Sequence, residues 1–322
     1  MSEMIFGLIK SKNVQIHRLS EEFSDLSVQT DSHRVRIQRF LKNSNLSCEQ
    51  VAQFIAKTRP NEERWVLALD RTNWQFGTHN YNLLTLSIVI KGSAIPLFVT
   101  MLDKQGNSDT EERKAIMQKF CQTFGAERIR FLAADREFVG EDWISWLCEQ
   151  QIPFVLRSRG NIAYKHKNGG YMLCKSWFSK GDKERTYQTK VGEHLINLSG
   201  KYLNNGELLA VLSSQDIDDP LESYRLRWGI ECSFKSLKSS GFNLEMTHIK
   251  CKSNFRALLQ VIFIAFAMCF QVGETHQDEI PYRKTVKSRL YSIFRFGLDR
   301  IYRTLKHLTY KGKNKNYKDF VT

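Results

Sequence analysis

The order of predicted strands and helices between residues 65 and 156 is the feature that most limits how this chain can fold. The strands are short apolar runs, and Lys91-Gly92-Ser93 is a turn between the second and the third. A capping-box pattern, Ser108-x-x-Glu111, predicts the start of the first helix. The predicted elements are three strands (65–69, 83–90, 95–101), a helix (108–124), a strand (129–134), a helix (140–150) and a strand (152–156). This order predicts a mixed sheet covered by helices.

Two of the predicted strands end at an aspartate. Asp70 follows the run WVLAL, and Asp135 follows the run FLAA. Taken singly, an aspartate at the end of a strand is most often a turn former or a cap. The two residues become candidates for chemistry only if other residues point the same way.

A third acidic candidate, Glu231, lies in a predicted helix from Leu221 to Ser240. Asp219-Pro220 is a helix-start pattern, and Gly241 is a helix stop. On a helix, residues three, four and seven positions apart share a face, so the spacing Tyr-x2-Arg-x3-Glu-x6-Lys predicts a polar stripe. The residues of this polar stripe are Tyr224, Arg227, Glu231 and Lys238, and those of the apolar stripe beside it are Leu226, Ile230, Phe234 and Leu237.

The polar stripe has two interpretations. The first is a solvated helix face with ion pairs from Arg227 to Glu231 and from Glu231 to Lys235. The second is a metal-binding carboxylate flanked by cations that bind phosphate, which requires two more carboxylates elsewhere in the chain. Asp70 and Asp135 are the candidates for these.

The spacing of the polar stripe resembles the signature of bacterial insertion-sequence DDE transposases of the cut-and-paste kind, insertion-sequence family four. The segments WVLALDRTNW and FLAADREF also resemble the two aspartate motifs of that family. The resemblance extends from the first aspartate motif to the C-terminal segment. It implies an α/β fold with a ribonuclease-H-like, mixed-sheet catalytic core, a small β-rich insertion and a helical N-terminal region.

The resemblance also implies a reaction. Asp70, Asp135 and Glu231 would be catalytic residues and ligands of Mg²⁺, with Mn²⁺ as the alternative. Two such ions can activate an attacking oxygen and stabilise the leaving 3′ oxygen in phosphoryl transfer. The expected enzyme is a DNA transposase that cuts the inverted-repeat ends of its element, passes through a hairpin intermediate and joins the ends to target DNA. A homodimer is expected in the synaptic complex.

The resemblance assigns DNA contacts to the rest of the polar stripe. Tyr224, Arg227 and Lys238 would hold phosphates of the cleaved strand, because guanidinium and ammonium groups both bind phosphate. Lys235, on the same helix, is a further expected contact.

Other residues carry alternatives that the sequence leaves open. Arg136 and Thr72 adjoin the two aspartates, and they either contact DNA or form local hydrogen bonds that position a turn. Trp177 either stacks on a displaced base or belongs to the core of a small β domain. Glu137, close to Asp135, is an extra carboxylate outside the expected triad.

Five segments are predicted along the chain. The N-terminal segment has helix starts at Thr30 and Ser47 and a cluster of arginines, which is typical both of a DNA-binding module and of a solvated helical cap. Glycines punctuate the predicted β-rich insertion. The segments are the helical DNA-binding region (1–62), the catalytic core (63–158 and 214–308), the β-rich insertion (159–213) and a basic flexible tail (309–322).

The composition favours a polyanionic partner and a reducing compartment. The 322 residues carry a net charge of +14, which indicates either nucleic acid or an acidic membrane surface as the partner. Seven cysteines, an odd number with no Cys-x2-Cys pair, predict reduced core thiols in a cytosolic protein. With DNA as the expected partner, we expect a bacterial cytoplasmic protein associated with the nucleoid. The apolar run from Ala257 to Val272 contains two glutamines and predicts a buried helix instead of a membrane span. Neither a signal-peptide pattern nor a glycine-rich phosphate loop is evident, so we expect no nucleotide cofactor.

Two rival functions fit the same residues. One is a metal-dependent DNA endonuclease that does not join strands. The other is a decayed transposase that only binds DNA, although loss of activity would be expected to erode Asp70, Asp135 or Glu231, and all three are present.

Overall fold

The computed structural model describes residues 1–23, 25, 27–59, 63–166, 168–285 and 288–318, with side chains through residue 307. The chain forms two compact units. The helical unit contains Met1–Pro60, Trp74–His79 and Phe234–Thr322, and the sheet unit contains Asn61–Asn73 and Asn80–Ser233. The segment 214–308, predicted as one part of the core, is therefore divided, and its part from Phe234 belongs with the N-terminal helices.

Four helices form the N-terminal part of the helical unit. They are α1 (Ser2–Ser11), α2 (Ile16–Glu21), α3 (Thr30–Asn43) and α4 (Cys48–Lys57). The predicted start of α3 at Thr30 is confirmed. Ser47 is the N-cap of α4, where its hydroxyl accepts a hydrogen bond from the Gln50 N–H at 3.0 Å. The start of α4 was predictable because a cap acts on the turn that follows it, whereas the N-cap residue of α3, Gln29, makes no side-chain cap hydrogen bond.

The sheet unit follows the predicted order of elements. Its first seven are β1 (Trp65–Phe76), β2 (His79–Ile90), β3 (Ser93–Met101), α5 (Thr110–Phe124), β4 (Ile129–Ala134), α6 (Glu141–Glu149) and β5 (Phe154–Arg157). The remaining elements are β6 (Ala163–Lys165), β7 (Tyr171–Leu173), β8 (Arg185–Val191), β9 (His194–Tyr202), β10 (Leu208–Ser213), α7 (Pro220–Arg225) and α8 (Trp228–Lys235). The predicted mixed α/β fold is confirmed.

All these strands belong to one ten-stranded sheet with the order β3-β2-β1-β4-β5-β10-β9-β8-β6-β7. The strands β1, β4 and β5 run parallel in its middle. Leu67, Leu132 and Leu156 there have no exposed surface, as expected for parallel strands covered on both faces. Because β10 pairs antiparallel with β5, the strands of the predicted insertion extend this sheet instead of forming a second one.

Two local predictions in the sheet unit need correction. The strand predicted to end before Asp70 continues through it to Phe76. The capping box of α5 is formed by Asp109 and Glu112, one residue later than predicted. Ser108 cannot serve as the cap because it is buried and accepts a hydrogen bond from the Arg113 side chain.

The helix predicted from Leu221 to Ser240 is not continuous. α7 ends at Arg225, α8 begins at Trp228, and a π-helical turn follows over Ser236–Ser240. The N–H groups of the two residues between α7 and α8 donate to carbonyls three residues earlier, which is the tighter 3-10 pattern. As a result Leu226, expected in the apolar stripe, is exposed.

The helical unit is completed by α9 (Lys252–Thr275), a two-stranded hairpin of β11 (Tyr282–Arg283) and β12 (Ser288–Arg289), and α10 (Ile293–Lys318). α9 contacts α1, α3, α4 and α10. Among the described helices, only α9 is long and apolar enough to span a membrane, and 78% of its most apolar window is buried inside the protein. The predicted buried helix is confirmed.

α9 and α10 approach each other at two glycines. A Cβ atom on Gly273 would overlap the carbonyl of Ile293, and one on Gly297 would overlap the carbonyl of Cys269. Only glycine allows two helix backbones to approach this closely. Residues 309–318, predicted as part of a flexible tail, continue α10, and residues 319–322 lie outside the described residues.

None of the seven cysteines, all of which lie in the described part of the chain, is joined to another by a disulfide. Cys174 and Cys269 are buried, whereas Cys251 is exposed and is therefore not a core thiol.

Candidate active site

Strands β1 and β4 bring the two predicted aspartates together. They are parallel neighbours whose last paired residues are Leu69 and Ala134. Asp70 is the next residue of β1, and Asp135 is the first residue after β4, so the two aspartates follow the same end of the pairing. The side chain of Asp70 is 15% exposed, and its Oδ1 accepts the backbone N–H of Arg71 at 2.8 Å.

α7 is held against these strands by a local cap and by apolar packing. The Asp219 side chain accepts the N–H of Glu222 at 3.0 Å, and Pro220 occupies the first turn, as predicted. Leu221 and Tyr224 pack in one buried cluster with side chains of β1, β4, β5 and β10. Tyr224 therefore reaches the aspartates from a fixed helix.

α8 is fixed by a close contact with β3, the edge strand of the sheet. The N–H of Ala94 donates to Ser233 Oγ at 2.9 Å, and the Ser233 hydroxyl donates back to the Ala94 carbonyl. A Cβ on Gly229 would lie 2.7 Å from the Ser93 carbonyl oxygen, so glycine is required there. Ser233 thus satisfies backbone groups that an edge strand otherwise leaves unpaired, and Glu231 lies on the helix that it anchors.

Arg227 links the three carboxylates. Its guanidinium donates to Asp70 Oδ2 at 2.9 Å and to Glu231 Oε1. Its Nε donates to the Tyr224 hydroxyl at 3.0 Å, and that hydroxyl donates to Asp135 Oδ1 at 3.1 Å. Asp70, Asp135 and Glu231 are therefore joined in one network. Arg227 is 6% exposed, so this arrangement is not the solvated helix face of the first interpretation.

Burial controls the protonation of this network. Desolvation raises the pKa of Asp70 from 3.8 to about 6, aided by Asp135 and opposed by Arg227. Desolvation also raises the pKa of Tyr224 to about 12, so the phenol is protonated at neutral pH. Burial by itself lowers the pKa of Arg227, but Tyr224, Asp70 and Glu231 outweigh it and raise that pKa overall.

The donor set suits a divalent cation in its chemistry. Carboxylate oxygens are the ligands that Mg²⁺ and Mn²⁺ prefer, and Asp70 is a buried carboxylate whose pKa is raised by desolvation even though Arg227 lies beside it. Within the described part of the chain, no three acidic, histidine or cysteine side chains are already grouped as metal ligands. The position between Asp70 and Glu231 is taken by the guanidinium of Arg227.

A cavity of about 420 Å³ opens beside this network. It is lined by Arg157, Leu209, Tyr224, Arg225, Arg227, Trp228 and Glu231. Three arginines and the Trp228 ring, which is 63% exposed, give the cavity a cationic and aromatic wall.

Three of the cavity residues, Arg157, Arg225 and Trp228, were not predicted from the sequence. The position of Arg157 could have been inferred, because it is the last residue of β5, the parallel neighbour of β4. The residue before it, Leu156, pairs with Ala134, the residue before Asp135. For Arg225 and Trp228 the break between α7 and α8 decides the direction of the side chains, and no sequence pattern predicted that break.

The residues next to the aspartates lie in different environments. Thr72 is buried, and Arg136 is exposed. Glu137 forms an ion pair with Arg71 at 3.2 Å. Of the predicted DNA contacts beside the aspartates, Arg136 is therefore accessible and Thr72 is not.

Trp177 is placed in a local core. It is 6% exposed, its Nε1 donates to the Met172 carbonyl at 3.1 Å, and its ring lies 5.4 Å from that of Tyr187. A ring buried in this way has no free face for a base. The structure thus corrects the assignment of Trp177 to DNA binding and favours the alternative of a core residue.

Lys235 and Lys238 belong to the helical unit. Lys235 is exposed in the last turn of α8. The Lys238 ammonium pairs with Glu245 at 2.9 Å and lies 5.6 Å from the centre of the Trp74 ring.

The family model described as "Transposase DDE domain" matches residues 61–268, which agrees with the predicted class. No curated protein sequence matches the chain. Among solved structures, the chain is similar to one in a cryo-EM structure of a piggyBac transposase synaptic complex with hairpin DNA, with 11% identity and a TM-score of 0.49 over 97% of this chain and 72% of that one.

Proposed function

The chain belongs to the transposase DDE domain family, and from this premise we propose that it cuts and joins the DNA ends of an insertion sequence of family four in a bacterium. Asp70, Asp135 and Glu231 are its catalytic carboxylates. The observation that carries this proposal is the single network in which Arg227 and Tyr224 join all three.

Members of the family generally use divalent metal ions, and we propose Mg²⁺, with Mn²⁺ as a substitute. Asp70, Asp135 and Glu231 would hold two such ions. When bound, the ions supply the charge that activates an attacking oxygen and stabilises the leaving 3′ oxygen.

Arg227 changes partners in this proposal. Without DNA it neutralises Asp70 and Glu231 inside the protein. A guanidinium also binds phosphate through two parallel hydrogen bonds, and Arg227 lines the adjacent cavity. A phosphate of the cleaved strand in that cavity would draw Arg227 away and free the carboxylates for metal.

Tyr224 holds Asp135 and limits the movement of Arg227 during this change of partners. Its raised pKa keeps the hydroxyl protonated, so it continues to donate to Asp135. Its oxygen accepts from Arg227 and limits how far the guanidinium can turn. Arg157 and Arg225 supply further positive charge in the cavity, and Lys238, Lys235 and Arg136 are proposed as additional phosphate contacts.

The proposal also includes DNA contacts on α3, the route of cleavage, the number of copies in the complex and the cellular location. Exposed basic side chains on α3 would bind phosphates near the element end; these are Arg34, Arg36, Arg39 and Lys42. Cleavage would proceed through a hairpin, the synaptic complex would contain two copies of the chain, and the protein would act on DNA in the cytoplasm.

The test is cleavage of a labelled duplex that carries the inverted-repeat end flanking the protein's own gene, in the presence of Mg²⁺. Wild type is compared with Glu231→Gln and with a matched control, Glu111→Gln. Glu111 is an exposed acid on α5 that pairs with Lys114. We expect a hairpin product from wild type and the control and none from Glu231→Gln.

Other outcomes would change the proposal in defined ways. Nicked DNA without a hairpin would retain the triad and reject the hairpin route. Cleavage without joining to a second duplex would favour the endonuclease. DNA binding by wild type without any cleavage would favour a decayed transposase, and equal cleavage by Glu231→Gln would reject Glu231 as a catalytic residue.

A further inference from the structure

Arg71 and Glu137 follow the two catalytic aspartates closely in sequence, and they bind each other. Arg71 Nε donates to Glu137 Oε1, and Arg71 Nη2 donates to Glu137 Oε2, both at 3.2 Å. The two side chains are 13% and 18% exposed. This is a two-bond pairing of guanidinium and carboxylate, which fixes direction as well as distance.

Arg71 is held from a second side by asparagines. Its Nη1 donates to Asn82 Oδ1 at 3.1 Å, and its Nη2 donates to Asn107 Oδ1 at 3.2 Å. The Asn82 amide in turn donates to the carbonyls of Lys104 and Gly106 at 2.8 and 3.0 Å. The guanidinium of Arg71 therefore has a fixed position before any ligand arrives.

Glu137 is held in a similar way. Its backbone carbonyl accepts a hydrogen bond from Arg113 at 3.1 Å, and Arg113 is 6% exposed. Arg113 also donates to the Ser108 hydroxyl at 2.9 Å. Both carboxylate oxygens of Glu137 face Arg71, so this acid is engaged although it lies two residues from Asp135.

We propose that Arg71 and Glu137 are a positioning pair for the metal-binding aspartates and that Glu137 is not itself a metal ligand. The pair ties β1, which contains Arg71, to the segment after β4, which contains Glu137, and so sets the spacing of Asp70 and Asp135. This inference rests on the proposed function, because it assigns the two aspartates to metal.

Mn²⁺ binding tests the pair without depending on turnover. Wild type, Arg71→Gln, Glu137→Gln and the double variant are titrated with Mn²⁺, and free Mn²⁺ is followed by electron paramagnetic resonance with saturating element-end DNA present. Either single substitution breaks the pair, so we expect Mn²⁺ affinity to fall by about 10-fold or more in Arg71→Gln and in Glu137→Gln alike, the usual effect of altering a partner behind a metal ligand. The double variant breaks the same contact, so it should lose no more affinity than either single variant.

Two controls separate positioning from folding. Glu111→Gln breaks an exposed ion pair with Lys114 on α5 and should leave Mn²⁺ affinity unchanged. DNA affinity measured without metal should be the same in all variants, whereas a misfolded variant would lose DNA binding and Mn²⁺ binding together.

Each result of the Mn²⁺ titration either supports or overturns the positioning role of Arg71 and Glu137. Wild-type Mn²⁺ affinity in Glu137→Gln would overturn the inference. So would a loss of affinity in Glu137→Gln together with wild-type affinity in Arg71→Gln, since that result would make Glu137 a ligand. A wild-type protein that cleaves DNA while Glu137→Gln binds Mn²⁺ normally would reject this inference alone. A wild-type protein that neither binds Mn²⁺ nor cleaves would reject the proposed function and this inference with it.

Discussion

The guanidinium of Arg227 lies between Asp70 and Glu231 and donates a hydrogen bond to each carboxylate, at 2.9 Å in the case of Asp70. One buried cation therefore serves two carboxylates that come from distant parts of the chain. Burying such charges is tolerated only when they are paired and hydrogen-bonded. This shared cation underlies the first two predictions.

Replacing Arg227 should abolish most DNA cleavage. Arg227→Gln removes both the counter-charge of the carboxylates and the proposed phosphate contact, and we expect the cleavage rate to fall about 100- to 1000-fold, as for loss of one preorganised charge-stabilising donor. Arg227→Lys keeps one positive charge but cannot bridge several partners, so it should recover only part of the rate. Single-turnover cleavage of the labelled element end measures both, and a wild-type rate in Arg227→Gln would contradict the proposed role.

The stability of the metal-free protein should depend on the ionisation of Asp70. Its folded-state pKa of about 6 lies above the ordinary value of 3.8, so between these pH values the folded protein binds more protons than the unfolded chain. Protonation of Asp70 therefore contributes to the free energy of unfolding. This contribution is fully present below about pH 4 and is lost as the pH rises to about 6. The loss amounts to at most about 3 kcal/mol.

Asp70→Asn tests this prediction, because asparagine stays neutral throughout. In urea unfolding with a chelator present, the variant should be more stable than wild type above pH 6 and similar to it near pH 4. Stability curves that run parallel from pH 4 to 8 would show that the ionisation of Asp70 does not control this range.

Ser233 should matter for both stability and catalysis. It has no exposed surface, and it satisfies the backbone N–H and carbonyl of Ala94 on the edge strand β3. Ser233→Ala leaves these groups unpaired, and we expect a loss of about 1–3 kcal/mol in the free energy of unfolding. Cleavage should also fall, because α8 carries Glu231.

The matched control is Ser239→Ala, an exposed serine whose loss should change stability by less than about 0.5 kcal/mol. Equal effects from the two substitutions would refute the edge-strand role.

The glycines between α9 and α10 should not tolerate a methyl group. In Gly297→Ala the new Cβ would overlap the Cys269 carbonyl. This carbonyl belongs to the helix backbone, so moving it would cost considerable free energy. We expect a destabilisation at or above the upper end of the range of about 1–3 kcal/mol typical of overpacking, measured as a lower thermal midpoint. Gly170→Ala, where no atom of the described residues lies within 4 Å of the new Cβ, is the control and should behave as wild type. A thermal midpoint for Gly297→Ala equal to that of Gly170→Ala would contradict the close helix crossing.

Local patterns in the sequence were sufficient for much of the fold. The order of strands and helices, the cap at Ser47 and the start of α7 at Asp219-Pro220 were all predicted, because each depends on residues within about one turn or one strand. The same locality explains the small errors. The shift of the α5 cap from Ser108 to Asp109 followed from a contact with Arg113 that the capping pattern does not contain.

By itself, the sequence determined which residues are candidates for chemistry: Asp70, Asp135 and Glu231, with Tyr224 and Arg227 at helical spacing from Glu231. Only the tertiary structure decided how they meet. Asp70 and Arg227 are 157 positions apart, and Arg71 and Glu137 are 66 apart. The register of β1 against β4 and the break between α7 and α8 set these distances, and both arise from long-range packing. Trp177 likewise became a core residue only in the tertiary structure, because its neighbours come from other strands of the sheet.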